Sequence, residues 1–206
     1  MNQLSDYNQL SDYNFPLRNH VSKKKFTKLI QKKYKQQITF KPSGFWISYK
    51  NDWLITGIDM GISQDRYNNE SYMYEIKFKN GIFTKSLSEI KKGKILKIST
   101  KNDLINFHNK YKHTVKVTKS NTYNCINWIN VSKDFSGIEI VPYQHSLRMT
   151  YHWYYSFDVA STCIWDNSVF KKISLTHTFK VTKNEKILYN KLKINENIEI
   201  EILTKK

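Results

Sequence analysis

The chain has 206 residues, 39% of them hydrophobic and 15% aromatic, which is enough apolar material for one folded domain of ordinary size. Six glycines and three prolines are too few for a collagen-like or linker-type chain, and no run approaches the roughly 18 apolar residues of a transmembrane helix. Basic residues exceed acidic ones by 17, a balance that favours an anionic partner such as nucleic acid.

The chain opens with two copies of the hexapeptide NQLSDY, at residues 2–7 and 8–13. Two copies cannot form a repeat array, so we interpret residues 1–14 as a disordered, duplicated segment. This segment lacks the basic start and apolar run of a secretory signal, and we expect an intracellular protein, in the cytoplasm or nucleus. The two cysteines, Cys125 and Cys163, agree with a reducing compartment and are too few for a cysteine-based zinc site.

Residues 21–37 are rich in Lys and place Phe26, Leu29, Ile30 and Tyr34 on one stripe at helical spacing. This pattern predicts a basic amphipathic helix. Its lysine face is either solvated above the core or in contact with nucleic acid or a membrane.

Short alternating segments between turn signals predict the elements of a sheet and two helices. We expect strands at 38–49 (broken by a Pro-Ser-Gly turn), 72–78, 95–99, 138–142, 161–165 and 198–203, helices at 53–60 and 102–111, and a candidate partner for 72–78 at 81–84. This order lacks regular strand–helix alternation, so we predict the α+β class with a split mixed or antiparallel sheet and flanking helices. Residues 15–176 form the single domain, and 177–206 a β extension or its completing strands.

The block 121–168 differs from the rest of the chain. It holds two basic and four acidic side chains, and it is dense in aromatic residues. We expect the core, and any pocket, in this block.

The origin of the positive charge has two interpretations. Only three of the 34 basic residues are Arg, beside 31 Lys, 20 Asn and 23 Ile. Lys, Asn and Ile have A/T-rich codons, so an AT-rich genome explains the excess of Lys over Arg. Phosphate recognition, by contrast, usually favours the bidentate guanidinium of Arg. Selected nucleic-acid binding is the alternative.

Several common catalytic and nucleotide-binding motifs are absent from the sequence, among them GxGxxG, the Walker A loop, HExxH, GxSxG and CxxC. His145 and His152 are close enough in sequence to suggest a metal pair, but ordinary polar histidines explain them better, and we expect no metal. Cys163 stands beside Ile164 and Trp165 and is better explained as a small buried residue than as a nucleophile.

Three segments carry a resemblance: LRNHVS at 17–22, KPSGFWIS at 41–48 and FSGIEIVPY at 135–143. In this order they resemble the ADP-ribosyltransferase superfamily, which includes poly(ADP-ribose) polymerases and prokaryotic toxins. Members carry His-x-Ser/Thr on a first strand, a Gly-hydrophobic-aromatic-x-Ser/Ala strand, and a later Glu on a core strand. The second and third segments, with residues 153–165, are also similar to uncharacterised viral and bacterial proteins that share a GLWYS-like motif.

The resemblance implies NAD as co-substrate and assigns three residues to its ribose and amide. His20 would contact a ribose hydroxyl, and Ser22 would lie near the nicotinamide amide. Glu139 would hold the 2′-hydroxyl and stabilise the positive charge that develops as nicotinamide leaves, which a fixed carboxylate does best in a dry pocket. The alternatives are a solvent-facing Glu139 and a His20 that merely caps the following helix.

Four further residues would complete the cofactor site. Phe45 or Trp46 would stack on the nicotinamide ring, with Ser48 supporting their strand, and Lys41 is a candidate for the pyrophosphate. A core position for Trp46 is the alternative. Gly137 stands two residues before Glu139, where arginine-directed transferases of the superfamily carry Glu or Gln, so transfer to arginine is not expected.

The favoured function at this stage is NAD-dependent ADP-ribosyl transfer to a macromolecular acceptor, protein or nucleic acid. A non-enzymatic, basic nucleic-acid-binding protein is the alternative, since Tyr and Trp side chains stack on unpaired bases and Lys neutralises phosphate. A structural or interaction protein is the third class. Convergence of His20, Trp46 and Glu139 on one cleft would favour the enzyme.

Overall fold

A computed structural model of the chain describes residues 15–88, 91–116, 122–182, 187–192 and 198–203, so the segment expected to be disordered, 1–14, lies outside the described residues. The helices of the described ranges are α1 (Asp52–Asp59), α2 (Ser63–Tyr67), α3 (Lys101–Tyr111), α4 (Trp128–Asp134) and α5 (His152–Tyr155). The strands are β1 (Arg18–Ser22), β2 (Lys28–Ile30), β3 (Ile38–Thr39), β4 (Phe45–Tyr49), β5 (Ser71–Phe78), β6 (Phe83–Thr84), β7 (Ile95–Ile98), β8 (Lys112–Lys116), β9 (Thr122–Asn127), β10 (Gly137–Ile140), β11 (Ser161–Ile164), β12 (Phe170–Val181), β13 (Ile187–Lys191), β14 (Ile198–Glu199) and β15 (Glu201–Leu203).

One large sheet dominates the described molecule, with strands in the order β13, β12, β5, β1, β4, β11, β10, β7 and β6, and β14 also paired to β12. Strand β7 runs parallel to β10 and β6, whereas the other pairs are antiparallel. The structure is therefore mixed α/β with a large mixed sheet and few helices, in agreement with the predicted α+β class. Of the described helices, none has the length and apolarity that crossing a bilayer requires.

The sheet is strongly curved. Strands β5 and β6 are six strand spacings apart along it, about 29 Å if the sheet were flat. Residues 79–82 alone connect them, and the five steps from Phe78 to Phe83 span at most about 18 Å. The two rings in fact lie 5.4 Å apart, centroid to centroid. The sheet therefore has a concave face, closed where β5 meets β6, and a convex face.

The two faces carry separate cores. The convex face packs against α3, α4 and α5 through an aromatic core, and most of its buried members come from the block 121–168, as expected: Phe107, Trp128, Phe135, Trp153, Tyr154 and Phe157 are its largest. The concave face encloses an inner core of Phe45, Ile47, Tyr74, Ile95, Phe170 and Ile173. Strand alternation explains the division, because successive side chains point to opposite faces.

The helix predicted at 21–37 is wrong. Strand β1 continues to Ser22, and the only regular element from 23 to 37 is β2, which pairs in parallel with β15 near the other end of the chain. The ring of Phe26 stacks on Tyr74 at 4.0 Å, and its backbone N–H donates to the Tyr74 hydroxyl. Tertiary contacts thus outweigh the local helical spacing.

Most other predicted elements are confirmed within a few residues. One pairing is wrong: β6 pairs with β7 in parallel rather than with β5. Strand β12 runs without interruption from Phe170 to Val181, across the expected boundary at 176/177.

Candidate functional site

Glu139 lies at the centre of the sheet on β10, with its side chain fully buried on the concave face. The guanidinium of Arg18 donates two hydrogen bonds to its carboxylate, Nε to Oε2 at 2.6 Å and Nη2 to Oε1 at 2.9 Å. The Thr162 hydroxyl donates to Oε2 at 3.1 Å, and Lys97 Nζ lies 3.8 Å from Oε1. The neighbouring Ile138 and Ile140 belong to the core of the opposite face. The solvent-facing alternative for Glu139 is wrong, because the carboxylate is buried and bonded within the protein.

His20 lies two residues after Arg18 on β1 and therefore faces the same side of the sheet. Its Nδ1 donates to the Trp46 carbonyl at 2.8 Å, and its ring lies 4.2 Å from Phe45. Desolvation by these surroundings lowers the pKa of His20, an effect that the carbonyl contact opposes only in part. The imidazole is thus fixed and biased toward the neutral form.

Trp46 faces the opposite side of the sheet. Its register partner on β11 is Cys163, whose own partner is Ile138, and these two side chains belong to the convex aromatic core. The Trp46 ring packs against Phe157 at 5.3 Å, and Lys41 Nζ lies 5.4 Å from the ring centroid. Lys41 and Trp46 are therefore neighbours, on the face away from Glu139.

The remaining predicted residues have local structural contacts. Phe45 is buried in the inner core against Phe170, at 5.3 Å. The Ser48 hydroxyl accepts from the Trp53 N–H at 3.3 Å and so supports the start of α1. The Ser22 hydroxyl bonds the backbone of Lys24 in the turn after β1.

The predicted residues therefore divide between two faces rather than meeting in one crevice. His20, Phe45 and Glu139 lie on the concave side, and Lys41 and Trp46 on the convex side. A nicotinamide ring stacked on Trp46 would be separated from Glu139 by the sheet itself. Phe45, the alternative, lies on the same face as Glu139 but is buried between His20 and Phe170. These residues do not fit NAD in this conformation, and no catalytic step through it follows from them.

Metal and thiol chemistry have no assembled site in the described ranges. There, no cluster of three or more His, Cys, Asp or Glu side chains is arranged to hold a metal ion. Cys163 is completely buried, and desolvation raises the pKa of its thiol well above the ordinary value, which disfavours the nucleophilic thiolate.

A cleft of about 390 Å³ opens beside the Arg18–Glu139 pair, around the end of β5. Its cations come from three strands and one loop: Arg18, Lys77, Lys79 and Lys171. Two half-buried rings, Phe78 and Phe83, line it as well, and the Arg18 guanidinium lies 4.8 Å from the centroid of Phe83.

Lys171 reaches the cleft because of a β-bulge. In the pairing of β12 with β5, Phe170 is opposite Phe78 and Lys172 is opposite Lys77, so Lys171 is the extra residue. A bulge re-aims the side chain of its extra residue. Lys171 thereby lines the cleft, whereas its neighbour Lys172 pairs with Glu199 at 2.7 Å.

Two of the four cations of this cleft carry uncompensated charge. Arg18 is paired with Glu139, and Lys77 with Glu75 at 3.3 Å. Within the described ranges neither Lys79 nor Lys171 forms an ion pair, and both are exposed. The cleft is therefore suited to anions.

Sequence reasoning missed this cleft, and one signal pointed to part of it. Arg18 is one of three arginines in a chain that otherwise uses Lys, and Arg is the residue best suited to a buried bidentate ion pair. No local signal marks the bulge at Lys171, since it depends on the register of two strands some 95 positions apart.

No protein-family model, curated protein or solved structure matches the chain in the comparisons made with each.

Proposed function

We propose that the protein binds nucleic acid, without catalysis, through the basic cleft around Arg18, Lys77, Lys79 and Lys171. The observation that carries the proposal is the bulge that turns Lys171 into the cleft beside Lys79, neither lysine having a carboxylate partner in the described ranges. Codon bias explains how many lysines the chain has, but not their convergence on one cleft.

The chemistry of the cleft suits a single strand. Lysines neutralise backbone phosphates and release their counterions, and this term is independent of sequence. The half-buried rings of Phe78 and Phe83 line the cleft beside the lysines, where an unpaired base can contact them. We therefore expect tighter binding of single-stranded than of double-stranded DNA of equal length.

The test is fluorescence anisotropy with a labelled oligothymidylate at several salt concentrations. The variant Lys77→Gln/Lys79→Gln/Lys171→Gln removes three cations from the cleft. We expect at least about tenfold weaker binding, and a slope of log K against log salt that is smaller by about 1.4, from roughly 0.7 for each of the unpaired Lys79 and Lys171.

The matched control is Lys24→Gln/Lys25→Gln/Lys101→Gln, which removes the same charge from exposed lysines outside the cleft. It should bind nearly as the parent does. Equal losses in both triple variants would mean that net charge alone acts, and the cleft would be rejected as the site. Absence of binding by the parent at low salt would reject the function.

ADP-ribosyl transfer is the second candidate, supported by the shared concave face of His20 and Glu139, with no role for Trp46 on the opposite face. It requires that Arg18 release Glu139, because the carboxylate is fully bonded here. The acceptor would then be an anionic macromolecule drawn to the basic cleft.

Incubation with labelled NAD tests this second candidate. Label transfer or nicotinamide release by the parent, lost in Glu139→Gln, would support it. Glu139→Gln keeps the size and the hydrogen-bonding oxygen of the side chain, and a melting curve would verify that it folds. If the folded parent shows no turnover and does not bind NAD, the enzyme hypothesis is rejected.

A further inference from the structure

A second, smaller pocket lies on another part of the surface, between the helix pair α1–α2 and residues 157–159. Its volume is about 140 Å³. Three aromatic side chains line it, Trp53 on α1, Tyr67 at the end of α2 and Phe157 after α5. Met60 and Ile62 join the lining and are 56% and 47% exposed, which is unusual for apolar side chains next to one another in a fold.

Polar groups surround this apolar interior. Lys41 and Arg66 line the pocket as cations, and Asp158 lines it as the acceptor. Lys41 Nζ lies 3.7 Å from Asp158 Oδ2, and Arg148 Nη2 3.6 Å from Oδ1. Arg66 has no ion pair among the described residues and is exposed.

The backbone at Asp158 adds a second observation. Its φ is +63°, in the left-handed region that side chains other than Gly adopt at a cost. Asp adopts this region more readily than most side chains other than Gly, so the turn is fixed at a modest cost. Here the conformation presents a carboxylate to a ring-lined pocket between two cations.

We infer that this pocket binds a pyrimidine nucleotide. The single ring enters against the half-buried Trp53, with the almost fully buried Tyr67 and Phe157 as apolar lining, where contact and burial stabilise it. A ring N–H donates to the Asp158 carboxylate, and the phosphate pairs with Arg66 and Lys41 at the rim. The inference goes beyond the proposed cleft and does not depend on it.

The volume sets the ring size. A protein cavity of about 150 Å³ lined by apolar side chains admits one benzene ring. At about 140 Å³ this pocket matches one six-membered ring, and because it is open to solvent on one side the fused rings of a purine would protrude from it and be covered only in part. Uridine monophosphate should accordingly bind more tightly than adenosine monophosphate.

Isothermal titration calorimetry on the full chain tests the site, with uridine monophosphate as the probe. Adenosine monophosphate and ribose 5-phosphate serve as comparison ligands for ring size and for phosphate alone. Thr56→Phe places a ring in the pocket from the face of α1, and Thr56→Ala is its matched control. We expect at least about tenfold weaker binding for Thr56→Phe and parent-like binding for Thr56→Ala.

Three results would overturn the inference: no measurable binding of uridine monophosphate to the parent, equal affinity for ribose 5-phosphate, or unchanged affinity in Thr56→Phe. Arg66→Gln supplies an independent measurement on an exposed residue, with a melting curve to verify folding, and it should weaken binding by about threefold to tenfold. The cleft variant Lys77→Gln/Lys79→Gln/Lys171→Gln should bind uridine monophosphate as the parent does. The nucleic-acid proposal and the nucleotide-pocket inference can therefore be rejected independently of each other.

Discussion

The guanidinium of Arg18 on β1 donates two hydrogen bonds to the carboxylate of Glu139 on β10, across the two strands that separate them, β4 and β11. Both hydrogen bonds are charge-assisted and short, at 2.6 and 2.9 Å. The pair ties residues 121 positions apart into one sheet, and its basic member, Arg18, lines the basic cleft. It also explains how a carboxylate is tolerated where no solvent reaches it.

Replacing only the basic partner should be costly. Arg18→Met leaves the Glu139 carboxylate buried with Thr162 and the more distant Lys97, and we expect a loss of about 3–5 kcal/mol in the free energy of unfolding. Urea denaturation followed by circular dichroism measures this loss. The double variant Arg18→Met/Glu139→Leu should recover much of it, since an apolar pair leaves no buried charge. A double variant no more stable than Arg18→Met would contradict the unpaired-charge explanation.

Stability should fall as the solution is acidified through the range in which imidazole titrates. Burial lowers the folded-state pKa of His20, and also that of His108, below the ordinary value, so the unfolded chain binds more protons there. The contribution is complete above the unfolded pKa of about 6.5 and is lost as the pH falls below it toward the folded pKa. Urea midpoints between about pH 7.5 and 5.5 measure the effect.

His20→Asn is the matched variant for the pH effect. Its side-chain amide keeps a donor toward the Trp46 carbonyl but does not titrate. The slope of stability against pH should decrease relative to the parent, with the remainder due to His108. An unchanged slope would show that His20 does not contribute.

Single substitutions at the bulge should distinguish the contributions of two adjacent lysines to nucleic-acid binding. Lys171→Gln should weaken oligothymidylate binding by about threefold or more, because the side chain lines the cleft. Lys172→Gln removes the same charge one residue away, where the side chain is paired with Glu199, and should change binding little. Anisotropy titrations of the two variants side by side test the geometry. Equal effects would mean that the bulge does not direct recognition.

Gly44 marks a close approach of β4 and β11. A Cβ built there would lie 2.6 Å from both Cys163 Sγ and the Ile164 carbonyl oxygen. Since backbone cannot yield easily, Gly44→Ala should destabilise the fold by about 1–3 kcal/mol. Ser43→Ala, at an exposed neighbouring position, should have little effect in the same thermal denaturation. A Gly44→Ala protein as stable as the parent would show that the strands can separate.

Local sequence patterns predicted the strands and helices whose own residues carry a clear apolar pattern. The alternation at 72–78 and the apolar runs at 95–99 and 138–142 correspond to β5, β7 and β10. The short apolar runs became strands buried on both faces, since β10 is buried at every position and β7 at all but one. The spacing at 102–111 predicted α3, which Thr100 and Asp103 begin with a capping box.

The same patterns failed where distant contacts decide. The apolar residues between 26 and 34 recur at helical spacing. Phe26 nevertheless stacks on Tyr74, and β2 pairs with β15 near the other end of the chain. The candidate site shows the same limit. Trp46 and Glu139 are residues of the kinds that a single NAD site would use, but strand register places them on opposite faces of the sheet. Register is set by the pairing of distant strands, which no local pattern records.

The parallel pairing of β15 with β2 has a consequence for synthesis. Residues 28–30 take their hydrogen-bond partners from residues 201–203, and Ile200 completes the inner core with a bond to the Ile173 carbonyl. The segment from 23 to 30 therefore has no strand partner until residues 198–203 have been synthesised. Folding of this edge can be completed only then, and a chain stopped before residue 198 would keep Leu29 without its cover.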